Sequence, residues 1–138
     1  MSAKRLQMLS GCQNHRCAYC GVNMRVPGLP TYGRSLGKTP PWPALSWRHY
    51  KMYRKFRRAT IEHVIAKSAG GTDALDNTVA ACLFCNLYRA NQPAEYALSR
   101  ITRLVRRGSH PHMIFAKTGI FPIWNISGLP SIDMREAA

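Results

Sequence analysis

Acidic residues are scarce in this 138-residue sequence: 6 Asp and Glu accompany 20 Lys and Arg, for a formal net charge of +14. Long apolar runs are absent as well, and none approaches the ~20 residues that span a bilayer. The first residues contain no apolar segment with a small-residue cleavage site, so we expect no secretory signal and a cytoplasmic location. Hydrophobic residues make up 46%, which excludes a disordered chain. The length predicts one domain over residues 1–138.

The excess of basic residues indicates a polyanionic partner. Lys and Arg side chains that neutralise phosphates release condensed counterions, which gives affinity for any nucleic acid. A membrane surface is the competing partner, but the sequence contains no strongly amphipathic basic helix and no lipidation signal. The charge therefore predicts nucleic-acid binding. It does not distinguish a structural RNA-binding protein from an enzyme that acts on DNA.

Four of the five cysteines form two C-x2-C pairs, which are Cys17 with Cys20 and Cys82 with Cys85. Each pair can place two thiolates on one tetrahedral ion, so together they predict one structural Zn²⁺. In a reducing cytosol disulfides are disfavoured, and the alternatives are a redox pair or a coincidence of spacing. Cys12 remains outside this set, because four thiolates already fill the site.

The order of residue types predicts a mixed α+β chain. Turn formers dominate residues 27–43, and aromatic and basic residues without Gly or Pro follow them. Asn91 or Gln92 is a candidate cap for a helix that ends before Gly108. The tail at 109–138 has no assigned role. The predicted elements are a loop at 27–43, a helix at 44–58, a strand at 59–65, a turn at 68–73, a helix starting at 86–90 and a further helix after residue 92.

The segment from Thr60 to Asn86 resembles the zinc-containing form of the HNH endonuclease motif. It contains an acid followed by His, a Gly-Gly turn, an Asn before an apolar strand, and C-x2-C followed at once by Asn. The resemblance implies a small ββα-metal core, in which a hairpin carries Glu62 and His63 and a helix follows Cys85. The four-cysteine zinc site and flanking helices would stabilise this core.

The resemblance also implies catalytic roles. His63 would be the general base that activates water, Glu62 and Asn86 would bind a catalytic Mg²⁺ (or Mn²⁺), and Asn77 would orient the histidine loop. Alternatively, Glu62 is a solvated carboxylate at a strand edge and His63 an ordinary buried or surface histidine. The sequence departs from the family pattern in having Glu62 where Asp is usual, Ala66 where Pro is frequent and Asn86 in place of the last His.

Residues 27–58 look like an insertion into this motif, and residues 93–138 like a C-terminal extension. The basic end of the insertion could follow the phosphate backbone, or it could be a helix whose aromatic side chains pack on the core. The predicted nucleic-acid contacts are Arg48, Lys51, Arg54, Lys55, Arg57, Arg58, Lys67 and Arg89.

The predicted function is that of a metal-dependent DNA endonuclease. A single site per chain would nick DNA, and cutting both strands would require a homodimer, a second encounter or another partner. Phage packaging, mobile introns and restriction are all contexts of the family. The alternative is a non-catalytic, zinc-stabilised RNA- or DNA-binding protein, such as a ribosome-associated protein.

Overall fold

A computed structural model describes residues 3–29 and 39–122, and it shows helices around a two-stranded antiparallel sheet. The predicted mixed class is therefore confirmed. Two short 3-10 turns, Lys67–Ala69 and Leu75–Asn77, lie between the strands. The remaining elements are α1 Ala3–Cys12, α2 Trp47–Phe56, β1 Ala59–His63, β2 Thr78–Cys82, α3 Leu83–Arg89, α4 Ala94–Arg106 and α5 Pro111–Thr118.

The hairpin and α3 form the centre of the fold. Strand β1 pairs with β2 from Ala59 opposite Cys82 to His63 opposite Thr78. Helix α3 follows β2 directly, and Cys82 caps it by accepting a hydrogen bond on Sγ from the Cys85 N–H at 3.5 Å. This helix starts at Leu83, earlier than the predicted 86, because the cysteine itself supplies the cap. The predicted hairpin and following helix are both present.

Helix α1 packs on this hairpin and was not predicted. Leu6 and Leu9 are buried, and they are three residues apart on one helix face. Beyond the helix, the amide of Gln13 bonds to the backbone of Ala80: its Oε1 accepts the N–H at 2.9 Å and its Nε2 donates to the carbonyl at 2.8 Å. The Gln13 side chain therefore satisfies the backbone N–H and C=O of Ala80, at the edge of β2 where a third strand would otherwise pair.

The aromatic side of α2 faces the protein core. Tyr53 stacks on Phe115 of α5 with ring centroids 4.1 Å apart, and Phe56 stacks on Phe121 at 5.5 Å. Helix α2 is shorter than the predicted 44–58, because Ser46 caps it by accepting a hydrogen bond from the His49 N–H at 3.4 Å. The aromatic residues of the insertion thus pack on the core, which is the second of the two interpretations drawn from the sequence.

Two further boundaries differ from prediction. Helix α4 begins at Ala94 with Pro93 at the N-cap position and no side-chain cap, so neither Asn91 nor Gln92 serves as one. The tail contains α5, whereas the sequence assigned it no element.

Part of the predicted loop at 27–43 and the end of the tail, including Ile123 and Trp124, lie outside the described residues. Within 3–29 and 39–122, no helix has the length and apolar character needed to cross a bilayer.

Candidate active site and metal centre

The four cysteines of the two C-x2-C pairs meet in space. Their Sγ atoms all lie within 4.8 Å of one another, and the Cys20 and Cys82 sulfurs are 3.8 Å apart. A tetrahedral Zn²⁺ with Zn–S bonds of ~2.3 Å places its sulfurs ~3.8 Å apart, so this donor set fits one zinc ion. The first pair lies in a tight turn closed by Gly21, whose φ of +77° favours glycine.

Burial and hydrogen bonding shift the pKa values of these thiols in opposite directions. Burial raises the pKa of the Cys82 and Cys85 thiols, because the loss of water disfavours the charged thiolate. By contrast, the pKa of Cys20 is lowered, chiefly by its hydrogen bond with Cys17. A bound dication would hold all four groups as thiolates, which links metal binding to folding. The cluster is therefore compatible with the predicted structural zinc site.

His63 ends β1 and pairs with an acid that the sequence did not single out for this role. Its Nε2 lies 2.8 Å from Asp73 Oδ1, and Lys67 Nζ lies 3.1 Å from the same oxygen. The contact with His63 lowers the pKa of the Asp73 carboxyl the most, and the contact with Lys67 lowers it further. When Nε2–H donates to Asp73, the lone pair of Nδ1 is the one that can accept a proton.

Asn77 closes the loop that follows His63. Its Oδ1 accepts the Ile65 N–H at 2.8 Å, and its Nδ2 donates to the carbonyls of Ile65 at 3.1 Å and Thr72 at 2.8 Å. The Gly-Gly turn belongs to the same loop, because a Cβ at Gly71 would meet the Ile65 carbonyl oxygen. The contacts of Asn77 fit the orienting role that the family resemblance implies.

Glu62 is buried rather than solvated, with 8% of its surface exposed. Its Oε1 accepts from Arg89 Nη1 at 2.9 Å, and its Oε2 is buried with no hydrogen-bond partner in the described part of the chain. Burial raises the pKa of Glu62, while Arg89 opposes that rise. The interpretation of Glu62 as a solvated strand-edge carboxylate is therefore wrong.

The structure corrects the predicted role of Arg89. Its side chain is 2% exposed, and besides Glu62 it donates to the carbonyls of His63, Val64 and Gln92. A guanidinium that is enclosed and already bonded in this way does not reach a phosphate outside the protein. Arg89 instead joins α3 to the end of β1, and a sequence pattern does not distinguish such a cation from an exposed one.

Asn86 lies on the same face of the hairpin as Glu62. Its Nδ2 donates to Thr60 Oγ1 at 3.0 Å, and Thr60 and Glu62 are two residues apart on β1, so they share one face. Asn86 and Arg89 are three residues apart on α3, so their side chains lie on one side of the helix. Both contact the face of the hairpin that carries Thr60 and Glu62. The carboxylate and amide oxygens of Glu62 and Asn86 are the donor types that Mg²⁺ and Mn²⁺ prefer.

The exposed cations of the insertion lie on one side of α2. At 100° per residue, they cover about a third of the helix circumference, opposite the buried aromatic face. Arg57 differs from them, because it is half-buried, donates to the Asn23 carbonyl at 3.1 Å and lies over the Tyr53 ring. On the helix the exposed set comprises Arg48, Lys51, Arg54 and Lys55, and the exposed Arg58 follows two residues beyond the helix end.

Arg25 is half-buried beside this set and was not predicted, because it precedes α2 by more than twenty residues. Its backbone pairs with that of Arg58. Burial lowers the pKa of Arg25, and Arg54, Arg58 and Arg57 lower it further. Several guanidinium groups are thus held close together on one surface, which favours an anionic partner.

One protein family matches part of the chain. Residues 49–92 match the model of a family described as HNH endonuclease, which confirms the resemblance inferred from the motif. The matched segment contains both strands, α3 and the second cysteine pair, and it excludes Cys17, Cys20, α1, α4 and α5. No curated protein and no solved structure matches the chain. An HNH domain indicates nuclease-type activity in general and a nucleic-acid substrate.

Proposed function

We propose, on the premise of this HNH domain, that the protein is a divalent-metal-dependent DNA endonuclease that hydrolyses phosphodiester bonds. The observation that carries the proposal is the arrangement at the end of β1. There His63 is bonded to Asp73, and the adjacent Glu62 is buried with one carboxylate oxygen unpaired in the described part of the chain. This arrangement lies inside the segment that matches the family.

His63 would act as the general base. Asp73 accepts from Nε2–H and holds the imidazole in the tautomer that leaves Nδ1 ready to take a proton from water. Asn77 fixes the backbone that follows His63, so the ring has a defined position. His63 keeps 18% of its side-chain surface exposed, which is enough for a water molecule to approach.

Glu62 and Asn86 would hold the catalytic Mg²⁺ or Mn²⁺. An unpaired carboxylate oxygen is costly to bury, and a cation would compensate for it. When bound, such an ion would stabilise the negative charge that develops on the scissile phosphate. Arg89 holds the other oxygen of Glu62 and thereby directs Oε2 away from the guanidinium.

The exposed cations of α2 would bind the DNA backbone next to the reacting phosphate. Arg58 directly precedes β1, and Glu62 lies four residues further along the chain. A strand rises ~3.3 Å per residue, so roughly 13 Å separates the two positions. Along the axis of a DNA duplex, that separation corresponds to about four base-pair rises of ~3.4 Å. A single site of this kind would nick DNA.

A plasmid-nicking assay tests the proposal. Supercoiled plasmid is incubated with zinc-loaded protein and Mg²⁺ or Mn²⁺, with and without a chelator of the catalytic ion, and His63→Ala is compared with wild type. Loss of a general base lowers the rate by about 10²–10⁴-fold, so nicking should depend on the ion and almost vanish in the variant. Asp76→Ala, an exposed change in the same loop, should retain wild-type activity.

Two measurements make the outcome specific. Zinc content and circular dichroism must be the same in His63→Ala as in wild type, so that loss of activity reports chemistry and not unfolding. Nicking by His63→Ala at the wild-type rate would remove His63 from the mechanism. Salt-dependent DNA or RNA binding without cleavage by the wild type, with either ion, would instead support the non-catalytic alternative.

A further inference from the structure

The segment between α4 and α5 places a histidine against the cysteine cluster. His110 is the N-cap residue of α5, and 1% of it is exposed. Its Nε2 lies 3.5 Å from Cys85 Sγ. His110 lies beyond residue 92, so the match to the HNH family does not account for its position.

The helix cap determines which nitrogen of His110 carries the hydrogen. Nδ1 lies 3.2 Å from the backbone nitrogen of His112 and accepts its N–H. A ring nitrogen that accepts has no hydrogen of its own, so the neutral imidazole carries its hydrogen on Nε2. Nε2 therefore donates to Cys85 Sγ. The ring is held at both ends, by the sulfur and by the first turn of α5.

Two of the other three sulfurs, those of Cys17 and Cys82, show the same kind of contact. Cys17 Sγ accepts from the backbone N–H groups of Tyr19 at 3.4 Å and Cys82 at 3.3 Å, and Cys82 Sγ accepts from that of Cys85 at 3.5 Å. Four thiolates carry more negative charge than one Zn²⁺ neutralises, so donors aimed at the sulfurs stabilise the centre. For Cys85 the donor is an imidazole from the C-terminal extension.

We propose that His110 is a positioning residue of the zinc centre, which holds the Cys85 thiolate through Nε2–H and connects it to α5 through Nδ1. The proposal concerns metal retention and does not depend on nuclease activity. Partners of this kind typically change metal affinity by about 10–100-fold. Replacing His110 should therefore accelerate zinc release from the folded protein.

The test compares two aromatic substitutions in the same buried cluster. His110→Phe keeps a ring of similar shape and removes both hydrogen bonds, whereas His112→Phe changes a neighbouring ring whose nitrogens have no hydrogen-bond partner among the described residues. Zinc release to a colorimetric chelator should be about tenfold faster or more in His110→Phe. In His112→Phe it should stay within about twofold of wild type. The thiolate-to-metal absorption of cobalt-substituted protein should shift only in His110→Phe.

A measurement on the wild type keeps the test decisive if His110→Phe does not fold. Nitrogen chemical shifts of ¹⁵N-labelled histidine in the zinc-loaded protein report the tautomer, and His110 should carry its hydrogen on Nε2. A hydrogen on Nδ1 would overturn the proposal, and so would folded His110→Phe with wild-type release kinetics and cobalt spectrum. A cobalt spectrum with three thiolate ligands in the wild type would also overturn it, because His110 would then bind the metal directly.

Discussion

Removal of the Arg89 guanidinium is the sharpest test of how the site is held together. Arg89→Met keeps much of the side-chain volume and leaves the Glu62 carboxylate buried without its 2.9 Å partner. Removing one member of a buried ion pair costs about 3–5 kcal/mol, more than the loss of an exposed pair, because a charge then stays in the interior uncompensated. We expect the free energy of unfolding to fall by about that amount near neutral pH. Arg48→Met, on the exposed face of α2, should change it by less than about 0.5 kcal/mol.

A double-mutant cycle separates the charge from the other contacts of Arg89. Glu62→Gln removes the negative charge but keeps the shape, so adding it to Arg89→Met should restore stability, with a coupling energy of about 1–3 kcal/mol. The loss that remains reports the carbonyls of His63, Val64 and Gln92. Urea unfolding followed by circular dichroism, in a buffer of fixed free zinc, measures each variant.

The pH dependence gives an independent check. A carboxyl whose pKa is higher in the folded than in the unfolded state binds protons more readily when folded, so its penalty grows as pH rises. Burial already raises the pKa of Glu62, and loss of Arg89 should raise it further. The deficit of Arg89→Met should therefore shrink as pH falls towards about 5. A deficit that is constant with pH, and equal with Glu62 or Gln at position 62, would refute the ion-pair argument.

Two further predictions follow from the site and the core. Asp73→Asn should lower kcat of nicking by roughly tenfold or more with little change in the Mg²⁺ requirement, because His63 loses its anionic partner. Asp76→Asn should have no such effect, and equal rates for the two variants would exclude the positioning role of Asp73. Burial lowers the pKa of His112 to about 3, with a further contribution from His110, so the unfolded chain takes up the proton first as pH falls. Wild type should lose about 1 kcal/mol more than His112→Phe between about pH 7.5 and 5.5, measured by urea unfolding, and parallel curves would contradict a neutral buried ring.

The candidate zinc ligands and catalytic residues could be predicted because the patterns that mark them are local. The resemblance to the HNH motif indicated the Glu62–His63 dipeptide and the hairpin with its following helix, and spacing alone identified the two cysteine pairs, since ligand spacing acts within a few residues. The helical aromatic and basic stretch was predicted for the same reason. The helix is two or three residues shorter at each end than predicted, and the Ser46 cap sets its first residue.

The partners of those residues could not be predicted, because they come from distant parts of the chain. Arg89 and Lys67 appeared equivalent as cations near the motif, yet one is buried on Glu62 and the other is exposed beside Asp73. Helix α1 is short, and such helices are stable only when packed against a surface, here the hairpin. The sequence contains no signal for that surface.

By itself, then, the sequence determined the basic charge and the zinc donors, which depend on residue type and short spacing, and its resemblance to the HNH motif indicated the candidate catalytic dipeptide. Only the tertiary structure decided that Asp73 bonds His63, that Arg89 neutralises Glu62 and that His110 contacts the Cys85 sulfur. All three contacts depend on how the chain packs, and those of Arg89 and His110 depend also on burial, which deprives these side chains of water.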